Sequence, residues 1–134
     1  MIFVDSGAWI ALSLPNDRNG SAARAAHSEL ARGVHGSLVT SNFVLDEAVT
    51  FLRMASDVPI AARFARTVLS SKNVVVAWID PGTFEAALRL FEERPDKRRS
   101  FTDCTSFAVM NDLGIERAFT FDRNFQEAGF SRVP

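Results

Sequence analysis

Short apolar runs alternate along this chain with longer stretches whose apolar residues recur every three or four positions, so strands and helices are predicted in turn. Ile2-Phe3-Val4, closed by Asp5, reads as a buried strand, and a short helix over Ala8–Leu12 follows until Pro15-Asn16-Asp17 breaks it. Residues 19–32 predict an Ala-rich amphipathic helix that ends at Gly33. Ser37–Thr40 reads as a second strand, with Thr40 or Ser41 capping a helix that runs to Ala55. Asp57 and Pro59 open the next helix, striped by Ile60, Phe64, Val68 and Leu69. Residues 73–79 predict a strand, Asp80-Pro81 start a helix to Glu93, and residues 94–99 form a charged loop. A helix from Thr102 to Leu113 is stopped by Gly114, residues 117–121 return as a strand, and 129–133 supply a short edge strand.

This alternation predicts an α/β protein, a three-layer α/β/α sandwich around a mostly parallel central sheet. No repeat, linker or low-complexity stretch divides the chain, so one domain over residues 1–134 is expected.

Composition narrows the classes. Hydrophobic residues make up 47% and charged residues 23%, which fits a globular chain and excludes disorder. The formal net charge of -1 argues against a generally basic nucleic-acid binder, so a polyanion would need a local patch or a metal. The single Cys104 rules out an internal disulfide and a Cys-rich zinc site, and it fits a reducing compartment. A basic leader region is missing at the N-terminus, and no apolar stretch approaches the ~20 residues of a bilayer span. A soluble, cytoplasmic protein with no membrane contact is expected.

The chemistry is suggested by acids in apolar surroundings. Asp5 and Asp122 each follow a strand-like run, Glu47 sits inside Phe43-Val44-Leu45-Asp46-Glu47-Ala48-Val49, and Asp103 inside Ser100-Phe101-Thr102-Asp103-Cys104. In an open parallel sheet the ligand crevice lies outside the carboxyl ends of the strands. Four carboxylates gathered there repel one another unless a hard divalent cation lies between them. Each acid has an ordinary alternative. Asp5 can cap a helix, Asp122 can serve a turn, and Asp103 can complement a helix dipole. Glu47 shares a helix face with Phe43, Val44, Phe51 and Met54, where a buried carboxylate needs a partner, either a cation or an arginine.

Taken together, Met1-Ile2-Phe3-Val4-Asp5-Ser6 with Ala8-Trp9, Val44-Leu45-Asp46-Glu47, Ser100-Phe101-Thr102-Asp103-Cys104 and Thr120-Phe121-Asp122-Arg123-Asn124-Phe125 resemble the PIN-domain signature. The likeness is to VapC-type toxins of bacterial toxin–antitoxin pairs and covers the chain from Met1 to Pro134. It implies a Mg²⁺- or Mn²⁺-dependent endoribonuclease, a homodimer, and neutralisation by a cognate antitoxin protein. It also implies that Asp5, Glu47, Asp103 and Asp122 are catalytic and metal-binding. Asp5 and Asp103 would be inner ligands, with Glu47 and Asp122 holding waters of the ion or a second ion. The hydroxyl after the first acid, Thr in much of the family, is Ser6 here, and the following position, commonly Ser, is Gly7.

Ser6, Arg98, Arg99 and Arg123 are possible substrate contacts, because Lys97-Arg98-Arg99 precedes the Asp103 segment and Arg123 adjoins Asp122. A solvated loop explains the same charge run. His27 and His35 lie apart from the acids and read as surface residues, the chain has no Tyr, and Cys104 reads as a small buried thiol. Trp9 and Phe43 read as core. Apolar residues of the helices at 19–32 and 58–70 could line a dimer or antitoxin groove, and packing on the sheet accounts for them equally. A phosphatase using Asp5 as nucleophile wants a second acid at Gly7 and a supporting lysine, yet the only lysines are Lys72 and Lys97. The remaining rival is a non-catalytic RNA- or protein-binding PIN-like module.

Overall fold

In the computed structural model, which describes residues 1–33 and 35–134, five strands form one sheet. They are β1 (Ile2–Val4), β2 (Leu38–Ser41), β3 (Val74–Ala77), β4 (Arg117–Phe119) and β5 (Ser131–Val133), in the order β3-β2-β1-β4-β5. Every neighbouring pair is parallel, so the sheet expected to be mostly parallel is wholly so. Parallel strands need crossovers, and helices supply them: α1 (Ser6–Ser13), α2 (Gly20–Leu30), α3 (Asn42–Ala55), α4 (Val58–Ser70), α5 (Pro81–Glu93), α6 (Phe101–Leu113) and α7 (Arg123–Glu127). The result is the three-layer α/β/α arrangement.

The order has a functional consequence. The chain builds outward from β1 through β2 to β3, then returns to the other side of β1 with β4 and β5. That reversal is a topological switch point, where the loops beyond two adjacent strands diverge and leave a crevice. Asp5 stands at that edge, its N–H donating to the Phe119 carbonyl of β4 at 3.1 Å.

Burial explains why these residues choose these elements. Ile2, Phe3 and Val4 of β1 are all buried, as a strand covered on both faces requires. The central helix α6 is buried continuously from Asp103 to Met110, and its polar members bond within the helix. Thr105 and Ser106 both donate to the Thr102 carbonyl, at 2.7 and 3.0 Å. Gly114 ends the helix with φ 64°, a left-handed conformation that glycine adopts at little cost.

Several boundaries differ from expectation for physical reasons. The strand read over 73–79 is only Val74–Ala77, because β3 is an edge strand and Trp78 beyond it is exposed. The strand read over 117–121 stops at Phe119, where Thr120 turns its hydroxyl into the crevice. α6 starts one residue earlier than expected, capped by Ser100. Leu69, placed on the apolar stripe of α4, is exposed, while Ala61, Phe64 and Val68 carry that face inward. The short α7 was not anticipated at all. Five residues carry no detectable periodicity, and Phe125 alone anchors it, fully buried against Phe3 and Phe107.

Among the described residues, no helix is long and apolar enough to cross a membrane.

Candidate active site

The four acids reach the crevice from four elements. Asp5 occupies the N-cap position of α1, yet its side chain makes no capping bond there. Its carboxylate instead accepts from the Thr120 hydroxyl at 2.9 Å and, more loosely, from Ser6 Oγ at 3.4 Å. A carboxylate at a helix start that gives up its cap is better explained by the crevice than by helix stability. The capping alternative raised for Asp5 therefore fails on geometry.

Asp103 and Asp122 do cap their helices, and they face the crevice as well. Asp103 forms a capping box with Ser100: its Oδ2 accepts from the Ser100 N–H, and its own N–H donates to Ser100 Oγ, both at 3.0 Å. Asp122 Oδ1 accepts from the Asn124 N–H at 2.8 Å. Glu47 departs from expectation. Its face of α3, with Phe51 and Met54, is exposed rather than buried, so no burial penalty forces a partner on it. It nevertheless turns to the crevice and accepts from Ser6 Oγ at 2.6 Å.

Three neutral side chains stitch these acids into one chain of contacts. Ser6 touches Glu47 and Asp5, and Thr120 joins Asp5 to Asp122 by donating to one and accepting from the other's N–H at 3.0 Å. The amide of Asn124 lies 3.4 Å from Asp122 Oδ2 and 3.5 Å from Asp103 Oδ2. Thr120 and Asn124 stood inside the sequence motif without a role assigned to them. Their spacing, two residues before and two after Asp122, was the only available signal.

Electrostatics couple the members of the group through repulsion. Burial lifts the Asp5 carboxyl to about 7, the charges of Asp103 and Glu47 add to that, and the Thr120 hydroxyl opposes it. Burial likewise lifts Asp103 to about 6, with Asp122 and Glu47 adding and the Ser100 N–H opposing. The two carboxyls whose charged form is disfavoured are thus the two most buried of the four.

The basic residues divide. Arg98 and Arg123 are exposed. Arg99 is half-buried and lies over the Phe107 ring, 5.5 Å from its centroid. Lys97 pairs with Glu127 at 2.9 Å. His27 and His35 are half-buried rather than on the surface, and His35 contacts Arg117 at 3.1 Å, on a part of the fold remote from the acids. Trp9 is core as expected, donating to Thr40 Oγ1 at 3.2 Å. Phe43 is only half-buried, set edge-on to Phe84 and Phe101.

Residues 2–131 match the PIN domain. The chain belongs to the PIN-domain family. Among curated relatives of this PIN domain is the 23S rRNA-specific endonuclease VapC20 of Mycobacterium tuberculosis, found in two strains. It is 37% identical over 134 residues, covering 99% of this chain and 98% of the relative. The crystal structure of VapC20, a sarcin-ricin loop cleaving toxin, superposes with a TM-score of 0.87 at 33% identity, over 97% of this chain and 96% of that one. This PIN domain is an enzyme, an endoribonuclease of the VapC toxin type.

The donor set suits a hard divalent cation: carboxylate and hydroxyl oxygens only, with two carboxyls whose charged form is disfavoured as they stand. Among the described residues, no three His, Cys, Asp or Glu side chains are close enough together to hold an ion.

Thr120→Val tests the stitching. Valine keeps the shape but leaves the half-buried Asp122 N–H unpaired and the buried Asp5 Oδ2 without its donor, a loss of about 1–3 kcal/mol. Urea denaturation in chelator at neutral pH should show it. Unchanged stability would mean that the hydroxyl does not hold the two acids.

Proposed function

We propose that this endoribonuclease cuts RNA with Mg²⁺ or Mn²⁺ held by Asp5 and Asp103, with Glu47 and Asp122 completing the site. One observation carries this reading: four carboxylates from distant parts of the chain are linked through Ser6, Thr120 and Asn124 beside the sheet's switch point, and the two most buried resist ionisation there. Held by Asp5 and Asp103, a divalent ion would supply charge neutralisation for the scissile phosphate and a lowered pKa for the attacking water. Glu47, the most exposed of the four acids, is suited to accept the proton of the attacking water, since Ser6 already orients it. Ser6, Thr120 and Asn124 hold the carboxylates in place. Arg98 and Arg123, both exposed beside the site, contact phosphates without reading sequence. Arg99 contributes through the loop it anchors on Phe107.

The substrate we infer is ribosomal RNA, the class named for VapC20, and the compartment we infer is the cytoplasm. The antitoxin is assigned to the groove of about 610 Å³ lined by Trp9, Leu12, Ile60 and Phe64, with Arg24 and Arg63 among its walls. An amphipathic segment bearing acids matches that lining. A homodimer would cover Phe51 and Met54 of α3 and Phe84 and Phe91 of α5, all large, apolar and exposed.

Purified protein should cleave ribosomal RNA with Mg²⁺ or Mn²⁺ and stop in EDTA. Arg98→Ala and Arg123→Ala should each weaken RNA binding and reduce its salt dependence by about one ion per charge removed. Cleavage that persists in EDTA, or RNA binding that ignores both chelator and salt, would favour the non-catalytic module instead. Light scattering that reads a single-chain mass would remove the dimer.

A further inference from the structure

Resting on that ribonuclease reading, we propose that Asn124 is a positioning residue that ties the basic loop 94–99 to the acid pair Asp103 and Asp122. The phosphate gripped by Arg98 and the cutting centre are thereby kept in one register. A side-chain amide has two N–H donors. Asn124 Nδ2 faces three acceptors: the Arg98 carbonyl at 3.3 Å, Asp122 Oδ2 at 3.4 Å and Asp103 Oδ2 at 3.5 Å. All three distances are long, so the donor is shared rather than committed to one of them.

The base of this device is rigid. Asn124 lies in α7, and its backbone N–H is already fixed to Asp122 Oδ1 at 2.8 Å. The next residue, Phe125, is fully buried and locks the helix to Phe3 and Phe107, ring centroids 6.4 and 5.0 Å away. The loop on the other side carries four cations, three of them engaged elsewhere. Arg94 is bidentate to Asp96, Lys97 pairs with Glu127, and Arg99 lies on Phe107. Arg98 alone has an exposed side chain without an ion pair among the described residues, and its carbonyl is the atom that Asn124 holds. The backbone of Arg98 is therefore pinned to the acids while its guanidinium remains free to meet a phosphate.

A single side chain thus acts on two steps. It braces two carboxylates, which governs turnover, and it fixes the loop that bears the phosphate grip, which governs binding. Asn124→Ala should lower kcat by about 10- to 100-fold, the range seen when a group supporting metal-binding side chains is removed. It should also raise KM for RNA and speed hydrogen exchange at the amides of residues 96–100 in the cation-free protein.

Asn124→Asp separates this role from a merely structural one. Aspartate is favoured in the first turn of a helix, so a residue needed only for α7 would tolerate it. It cannot donate to the Arg98 carbonyl when ionised, so cleavage should fall as far as in Asn124→Ala while the fold is kept. Wild-type kcat and KM in Asn124→Asp would overturn the proposal. So would unchanged loop exchange in Asn124→Ala beside an active wild-type enzyme. Wild-type protein inert toward RNA in Mg²⁺ and Mn²⁺ would instead remove the ribonuclease reading, and the register claim with it.

Discussion

Asp5→Asn is expected to abolish cleavage and, in the same tube, to make the cation-free protein harder to melt. At pH 8 the Asp5 carboxyl, lifted to about 7, is mostly ionised in a site that burial makes hostile to charge. Asparagine has the same shape without the charge. Its carbonyl oxygen can still accept from Thr120, and its amide can face the remaining carboxylates as a donor. The helix that follows loses nothing, because the Asp5 side chain was not capping it. Stability should therefore rise, by several degrees in melting temperature.

Activity moves the other way. Without the charge at the centre of the acid group, the pull on a divalent ion is weakened where it is greatest. Cleavage should drop by on the order of a thousandfold or more. Paired measurements settle it: RNA cleavage in Mn²⁺, and thermal melting in EDTA at pH 8. A variant that melts earlier than wild type would mean that the buried charge is not a source of strain. A variant that still cuts would place the chemistry elsewhere.

The cation-free wild type should lose stability as pH rises from 5 to 8, against the trend of proteins held by salt bridges. Both buried carboxyls, Asp5 and Asp103, titrate higher in the folded protein than in the unfolded chain, about 7 and about 6 against 3.8. The folded state therefore binds more protons throughout that interval. Its advantage is complete below about pH 4 and is lost as pH climbs through 6 and 7. Exposed carboxyls with lowered values, Asp96 held down by Arg94 and Glu127 by Lys97, act at the acid end and leave this window alone.

Added Mn²⁺ should flatten or reverse the slope, because an ion that displaces those protons binds better as pH rises. Melting curves at pH 5, 6, 7 and 8, in EDTA and in Mn²⁺, test both statements. Rising stability in EDTA across that range would refute the electrostatic account of the site.

The legible part of this protein was the part written in periodicity and in punctuation. Strand β1 showed because three apolar residues end in an acid. Helices α4 and α5 showed because Asp57 with Pro59, and Asp80 with Pro81, mark their starts. The acids were legible because carboxylates sit uneasily in apolar segments. What escaped depends on the third dimension. Glu47 was placed on a buried face because its neighbours Phe51 and Met54 are apolar, and a sequence does not reveal that such a face has been left open to solvent. Thr120 and Asn124 escaped because a hydroxyl and an amide carry no charge to betray them. Their importance lies in which oxygen they reach, 2.9 Å from Thr120 to Asp5 across most of the chain's length. The short α7 escaped because one aromatic anchor makes no pattern.

The strand order also decides when the cutting centre can be completed. Asp5 is made first, but its neighbours across the crevice, Thr120, Asp122 and Asn124, are made almost last. A growing chain that has emerged only through α6 has no fourth strand beside β1 and only part of its cutting apparatus. The complete set of four acids with Thr120 and Asn124 therefore exists only once elongation is nearly over.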